Sequence, residues 1–343
     1  MKIGVVGCGS LGGVIAGRLW AAHGDDVRVF ERKADIVDAV RSRGLEVVDG
    51  RKTLLAHPVV LEGPSPAGPG RASDLLDCII LTTKTTALAR AVEAFMPALS
   101  EHGFFVTVQN GLAALDLLEK HGRERIVSGC VMWGATLAAP GRCVVTARGP
   151  FVVGSAGGPD SPAAAVLRDA LEPVFPVQVS ADMRDVLWAK LTVTASLTSL
   201  GAVTGLRFGP MLQSRVIRDL ILRIGTEVVE VGRASGVAFR HREGVMNVDL
   251  LAGGRTPLWL KHLIVRAIGL KHRRTESSMY ASIREGAPTE IDFINGAVIR
   301  IGGEHGVATP VNQAVVYVVK EIEGGSRAPG AQSLERLCSL LKE

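Results

Sequence analysis

Short apolar runs, each followed by an amphipathic stretch, fill the first half of the chain. Lys2–Val6 is apolar and runs into glycines. The stretch after it keeps helical spacing to His23, where Gly24 stops it. This predicts strand, turn and helix. Val27–Phe30 is a second strand. Cys78–Thr83 (CIILTT) is a buried strand and Thr86–Leu99 a helix. Phe104–Val108 is a strand, Leu112–His121 a helix and Ile126–Met132 another strand. Strands alternating with helices predict a parallel sheet.

The pattern then changes. Cys143–Ala147 and Phe151–Gly154 are short and β-rich, and the Gly-Pro between them predicts an antiparallel pair. Pro162–Leu171 reads as a helix that returns the chain. Near Asp182–Arg184 the alternation ends, and the apolar spacing is helical almost throughout to Val319. After Gly324 a loop and a last helix are expected. The domain boundary therefore falls near residue 182, giving domains 1–182 and 183–343. Pro64–Gly70 (PSPAGPG) reads as a surface loop inside the first domain, because the alternation resumes after it. Leu191–Leu206 carries no charge, but it is short and dotted with Thr and Ser. A membrane span needs about 20 predominantly apolar residues, so this run reads as a buried helix.

Composition narrows the class. A chain of 343 residues fits two domains. Lys plus Arg is 39 against 34 Asp plus Glu, a modest and scattered excess of +5. That excess suits an enzyme of anionic ligands. No nucleic-acid signature accompanies it, and two Tyr and nine Phe leave few stacking platforms. Cys8, Cys78, Cys130, Cys143 and Cys338 form no CxxC pair, so neither a disulfide framework nor a metal site is expected. A reducing cytoplasm is the natural compartment. The glycine-rich start does not read as a secretory signal. The expectation is a soluble, cytoplasmic enzyme with no membrane and no nucleic-acid partner. The helical half has enough apolar surface for a homodimer, which composition alone does not decide.

The turn after the first strand reads Gly7-Cys8-Gly9-Ser10-Leu11-Gly12, with G-x-G-x-x-G spacing. The first glycine permits a tight turn, and the second lets a pyrophosphate approach the backbone. The third lets the helix pack on the sheet, while the helix N-terminus faces the phosphates. Alone this pattern is weak. Here it follows a strand, opens a helix and precedes a second strand at the right distance. The fold class that follows is α/β: an N-terminal Rossmann-type sheet with helices on both faces, plus a mostly α-helical C-terminal domain. A dinucleotide is the expected cofactor. Glu31 stands 19 residues after Gly12, where an acid bonding the ribose hydroxyls favours NAD. Arg32 and Lys33 follow it directly and suit the 2′-phosphate of NADP. The balance leans to NADP (as NADPH), with NAD kept open by Glu31.

Carbonyl reduction needs a hydride, a proton donor and groups that hold the substrate in line. Lys190, in Trp188-Ala189-Lys190-Leu191-Thr192, is a donor candidate if held in a cleft, although spacing alone better describes a lysine reaching to water. Ser277-Ser278-Met279 and Thr289-Glu290-Ile291-Asp292-Phe293-Ile294-Asn295-Gly296 form a second cluster. Glu290 opens a helix, so it serves either the helix dipole or an active site.

Together these residues resemble the ketopantoate reductase (2-dehydropantoate 2-reductase) family over nearly the whole chain. The matching elements are GCGSLG, Lys84 after CIILTT, Gln109-Asn110-Gly111, WAKL with Lys190, SSM with Ser278, TEIDFING with Glu290 and the late Gly306–Asn312. The glycine fingerprint is generic, whereas WxKL, SSM, EIDxING and GxxxPxN in that order are specific. The resemblance implies NADPH-dependent reduction of a 2-oxo acid, 2-dehydropantoate to pantoate, in pantothenate biosynthesis. It assigns Lys190 as general acid, and Glu290 as the carboxylate that bonds the substrate hydroxyl. Ser278 would bind the substrate carboxylate, and Asn110 would line the cleft near nicotinamide and substrate. Lys84 would lie on the cofactor side, and Arg32 would hold the 2′-phosphate. Gly7, Cys8, Gly9, Ser10, Leu11 and Gly12 complete the cofactor set.

Two departures stand out. The family pattern has asparagines four and eight residues after the catalytic lysine, and this chain has Thr194 and Thr198. These lie at about 40° and 80° from Lys190 on a helix, so they remain candidate substrate contacts. A hydroxyl offers fewer bonds than an amide, which points to an altered substrate. The second departure is Ala87, where the family usually has Gln. In addition, the stretch before SSM is longer than usual and contains Trp259-Leu260-Lys261-His262 and the basic run Lys271–Arg274. It reads as a lid, a dimer contact or a solvated element. Besides ketopantoate reduction, the alternatives are a paralogue acting on another 2-oxo or 2-hydroxy acid, and a non-catalytic cofactor-binding sensor.

Overall fold

The computed structural model describes residues 1–63, 75–122, 125–154, 161–240, 247–252 and 256–342. The expected Pro64–Gly70 loop lies outside them. The chain divides into two compact units. The first comprises residues 1–109 and 113–183, and the second residues 110–112 and 184–343.

The first unit begins β1 (Ile3–Val6), α1 (Ser10–His23), β2 (Val27–Glu31) and α2 (Ala34–Arg43). Then come β3 (Leu45–Asp49), β4 (Lys52–Ala56), β5 (Val59–Glu62), β6 (Leu76–Leu81) and α3 (Leu88–Phe95). It continues through β7 (Leu99–Thr107), α4 (Ala113–His121), β8 (Ile126–Val131), β9 (Gly134–Ala139) and β10 (Arg142–Ala147). It closes with β11 (Phe151–Gly154), α5 (Pro162–Leu171) and β12 (Val177–Val179). Eight strands form one sheet in the order β12-β11-β8-β7-β6-β1-β2-β5. All neighbours run parallel except β11 with β8.

The near-continuous apolar runs follow from burial of both sheet faces. Ile3, Val5, Val29, Cys78, Ile80 and Val106 share one core with Val14, Ile15 and Leu19 of α1 and Leu167 of α5. Val6, Phe30, Ile79, Leu81 and Phe105 share the other with Leu88, Val92 and Phe95 of α3 and Leu117 of α4. Successive strand residues alternate between the two cores, as strand geometry requires.

Two expectations are corrected. β10 and β11 do not pair with each other. β11 joins the large sheet beside β8 and β12, whereas β10 belongs to a second, four-stranded sheet ordered β4-β3-β10-β9. The Gly-Pro between them is therefore a crossing from sheet to sheet. The expected Thr86–Leu99 helix is shorter: a 3-10 turn covers Met96–Ala98, and β7 already starts at Leu99. Pro97 lacks the N–H that a continuing α-helix would use. The second sheet also explains why α1 is buried on two sides. A side chain at Gly13 would meet the Cys143 Sγ, and one at Gly17 would approach Val47 Cγ2 to 2.7 Å.

The second unit is helical: α6 (Met183–Thr204), α7 (Phe208–Gln213), α8 (Arg215–Ala234), α9 (Leu258–Lys271), α10 (Ser278–Arg284), α11 (Ile291–Glu304), α12 (Pro310–Glu323) and α13 (Ala331–Leu340). By length and composition α6 could cross a membrane, but 78% of its most apolar window is buried inside the protein. Its hydroxyl-bearing residues are accommodated by back-bonding: Thr192, Ser196, Ser199 and Thr204 each donate to the carbonyl four residues earlier.

Candidate active site

The glycine turn is built from backbone. Gly7 has φ +96°, a conformation that side chains rarely adopt. A Cβ at Gly12 would collide with the Gly7 carbonyl oxygen and the Thr82 hydroxyl. That hydroxyl donates to the Val6 and Gly7 carbonyls at 2.9 and 2.8 Å, joining the end of β6 to the turn. A Cβ at Gly9 would meet nothing within 4 Å, so the space above it is open. Gly9 is also the N-cap of α1, no side chain caps that end, and its first turn carries no acid. Free amides and the positive end of the helix dipole there fit a pyrophosphate. Ser10 and Leu11 open the helix half-buried, whereas the Cys8 side chain is buried in the core. Burial pushes its thiol up, which leaves it neutral and only its backbone at the turn. The site lies at the C-terminal ends of β1 and β6, where the strand order reverses.

Glu31 also has a task that its position does not announce. Its carboxylate is buried and accepts three backbone N–H groups, from Cys8 at 2.5 Å, Arg32 at 2.7 Å and Lys33 at 2.9 Å. It fastens the glycine turn to the end of β2. The Arg32 and Lys33 side chains beside it are exposed. Lys84 is exposed at the start of the 3-10 turn Thr85–Ala87. The loop leading to it is held by Gln109, whose Nε2 donates to Leu81 O at 2.7 Å and Thr83 O at 2.9 Å. Neither Thr82 nor Gln109 had a role assigned from sequence. A polar side chain just past an apolar strand is a faint signal for such a clamp.

In the second unit α6 carries the candidate proton donor. Leu187, Trp188, Ala189 and Leu191 are buried, while Lys190 is half-buried. Among the described residues its Nζ has no hydrogen-bond or ion-pair partner. Thr194 donates to the Lys190 carbonyl at 3.0 Å, and Thr198 donates to the Thr194 carbonyl at 2.7 Å. Both hydroxyl protons are thus engaged by the helix, and only oxygen lone pairs remain for another group.

Two neighbouring helices are pinned to α6. Ser277 is fully buried, caps α10 by accepting from Tyr280 N, and donates to the Thr198 carbonyl at 2.7 Å. Ser278, next in the chain, is exposed. The two serines of SSM therefore divide between a structural cap and a surface-facing hydroxyl. Asn295 on α11 is fully buried and donates to Ala195 O at 3.1 Å and to Asn312 Oδ1 at 2.9 Å. Asn312 in turn donates through Nδ2 to Glu227 Oε2 at 2.7 Å. Glu227 also accepts the Val311 and Asn312 amides at 2.8 and 2.9 Å, closing the start of α12. Glu290 is the N-cap residue of α11, yet its own carboxylate does not cap the helix. Thr289 Oγ1 accepts from Ile291 N instead. Asn110 is half-buried and belongs to this unit. Gly111 beside it, at φ +84°, packs on α11, where a Cβ would lie 2.6 Å from the Phe293 carbonyl. Asn110, Lys190, Thr194, Thr198, Ser278 and Glu290 thus share one unit, and the glycine turn, Arg32 and Lys84 share the other. An apolar cavity of about 40 Å³ beside α6, between Val193, Leu197, Ile221, Leu222, Val265 and Ile268, has no titratable group in its lining.

Residues 3–158 match the family model described as ketopantoate reductase PanE/ApbA, and residues 182–323 match its C-terminal counterpart. A 2-dehydropantoate 2-reductase of Lactococcus lactis subsp. lactis is 26% identical over 326 residues, covering 94% of this chain and 98% of the relative. One of Mesorhizobium japonicum is 24% identical over 344 residues, with the same coverage of both chains. Among solved structures, a PanE/ApbA family ketopantoate reductase of Ralstonia eutropha superposes with a TM-score of 0.77 at 24% identity, covering 95% of this chain and 99% of the other. A D-mandelate dehydrogenase with NADH and anilino(oxo)acetate superposes at 0.78 and 23% identity, covering 96% and 100%.

Proposed function

This chain belongs to the ketopantoate reductase family and is an oxidoreductase acting on a CH–OH group, and we propose that it reduces 2-dehydropantoate to pantoate with NADPH, a step of pantothenate biosynthesis. The observation that carries this reading is Lys190, half-buried, with no partner among the described residues, on the helix to which the elements bearing Ser278 and Glu290 are pinned.

The first unit binds and the second protonates. The amides of Gly9–Gly12 and the start of α1 hold the pyrophosphate, and Lys84 serves the same side. A nicotinamide cofactor held by these residues would supply hydride chemistry. Ser278 donates to the substrate carboxylate, Glu290 accepts from its hydroxyl, and Asn110 borders the reacting carbonyl. Lys190 gives the proton on Nζ to the carbonyl oxygen as the C–O double bond becomes an alcohol, and Nζ regains a proton from water. Because the Glu31 carboxylate already accepts three backbone amides, Arg32 is the charge offered to the ribose side. A 2′-phosphate suits it, which supports NADPH over NADH.

A second reading has its own observation. The Thr194 and Thr198 protons are engaged by helix carbonyls, so this face gives fewer donors than a polar substrate would use. That favours a 2-oxo acid with a less polar side chain, and D-mandelate dehydrogenase has the same fold. Steady-state oxidation of NADPH, with NADH alongside, on 2-dehydropantoate, phenylglyoxylate and branched 2-oxo acids separates the readings. Efficient turnover of 2-dehydropantoate supports the first. Turnover only of the less polar acids replaces it with the second. Cofactor binding without turnover of any acid leaves a non-catalytic sensor.

A further inference from the structure

Lys190 stands between two unlike strips of α6. Thr194 and Thr198 lie to one side of it, at about 40° and 80°, and Leu197 and Val193 lie to the other, at about 20° and 60°. The apolar strip is one wall of the cavity of about 40 Å³ beside this helix. Leu212 of α7 and Ile221, Leu222 and Gly225 of α8 form further walls, and Leu251, Ala252, Val265 and Ile268 complete the lining. These last four belong to the long stretch before SSM, where the chain departs from its family. Val193 is half-buried, as is Lys190 one turn before it. The cavity wall therefore continues onto the surface that presents the lysine.

This space does not suit water. Its polar side chains are Thr192 and Ser196. Thr192 donates to Trp188 O at 3.1 Å, and Ser196 donates to Thr192 O at 2.7 Å and to Ile221 O at 3.3 Å. Room for one water is about 10–15 Å³, but a buried water also needs two to four polar partners, and both hydroxyl protons here are engaged. An empty apolar space forfeits dispersion contacts, which an apolar group of the right size restores. Size selects that group. A cavity of about 150 Å³ admits benzene. This one, at about 40 Å³, excludes a ring and admits the methyl groups of a short branched chain.

We propose that this cavity receives the side chain of the substrate, and that the substrate is a 2-oxo acid with a short branched alkyl chain. The proposal rests on the reading of Lys190 as proton donor to the carbonyl, and it sharpens the reading of a less polar acid. With the carbonyl oxygen at Nζ, the chain beyond it passes over Val193 and Leu197 into the cavity, away from the two threonines. Val193, Leu197 and the residues of the long stretch, Ala252 and Ile268, then set specificity.

The test is kcat/KM with pyruvate, 2-oxoisocaproate and phenylglyoxylate. One methylene in an apolar pocket is worth roughly ten- to two-hundred-fold. The wild type should therefore prefer 2-oxoisocaproate to pyruvate by at least about a hundred-fold, and phenylglyoxylate should rank below 2-oxoisocaproate. Ala252→Phe fills the cavity and should cut the preference over pyruvate by at least about ten-fold. Ile221→Ala widens it and should move the ratio of phenylglyoxylate to 2-oxoisocaproate upward by a similar factor, which decides the matter if Ala252→Phe fails to fold. Equal kcat/KM for pyruvate and 2-oxoisocaproate overturns the proposal. So do ratios that neither substitution moves. No turnover of any 2-oxo acid removes the reading of Lys190 instead, and calorimetry then judges the cavity. 4-Methylpentanoate should bind where acetate does not, and Ala252→Phe should abolish the binding. Absence of that binding overturns the proposal as well.

Discussion

The two units meet a catalyst's needs in opposite ways. The first presents backbone: amides at the start of α1, a glycine with open space above it, and a carboxylate turned inward to hold the turn. The second presents side chains on separate helices, and its order comes from buried polar bonds between residues 79 to 100 positions apart. Backbone sites are specified within a few residues, because each glycine answers a local steric demand. Side-chain sites are specified by a fold. Binding and chemistry should therefore be separable by mutation.

The sharpest break of that comparison is Lys190→Ala. General acid catalysis contributes roughly a hundred- to ten-thousand-fold, so kcat should fall by that much. NADPH affinity, followed by nicotinamide fluorescence, should hold. A parallel loss of affinity would show that the two tasks are not divided between the units. The opposite dissection is Arg32→Ala. Losing a charged contact of about 1.5–3 kcal/mol should weaken NADPH some ten- to a hundred-fold and leave NADH and kcat nearly unchanged. An unmoved ratio of the two affinities would transfer the phosphate to Lys33.

These tests follow the line between what the chain shows on reading and what it conceals. The parallel sheet, the glycine turn and the buried helix around Lys190 are legible, because apolar periodicity and glycine spacing act locally. Glu31 was legible as an acid at the end of a strand but not as a clasp, since its direction depends on an amide 23 residues earlier. The second sheet was hidden because β4 and β9 are largely exposed and short, so their alternation is weak. The pairing of β10 depended on β3, nearly a hundred residues away. For the candidate site, resemblance supplied the names of the residues and the fold supplied their support. Ser277 and Ser278 are indistinguishable in sequence, and only burial separates them.

The supports themselves are open to a smaller test. Asn312→Leu removes the link between Asn295 and Glu227 and leaves buried groups short of partners. Such groups cost about 1–3 kcal/mol each, which urea unfolding would read. If the network positions α6 and α11, kcat should also drop in the folded variant while NADPH still binds. A loss of stability with unaltered kcat would confine the network to holding the fold together.

The smallest effect concerns the loop that leads into α11. Burial raises the Glu323 carboxyl, but hydrogen bonds from Thr289 and Lys320 outweigh it and hold the group below its ordinary value of 4.5. Thr289 N donates to Glu323 Oε1 at 2.7 Å, one residue before Glu290. A carboxyl depressed in the folded state stabilises it above the unfolded value, and the contribution disappears as pH falls through the folded one. The stability difference between wild type and Glu323→Gln should therefore be full near neutral pH and shrink steadily below about pH 4.5. The variant should also raise KM for the 2-oxo acid more than it lowers kcat, because it loosens the placement of Glu290 and leaves Lys190 alone. A difference that persists undiminished at low pH would mean that the shape of the side chain, and not its charge, holds Thr289.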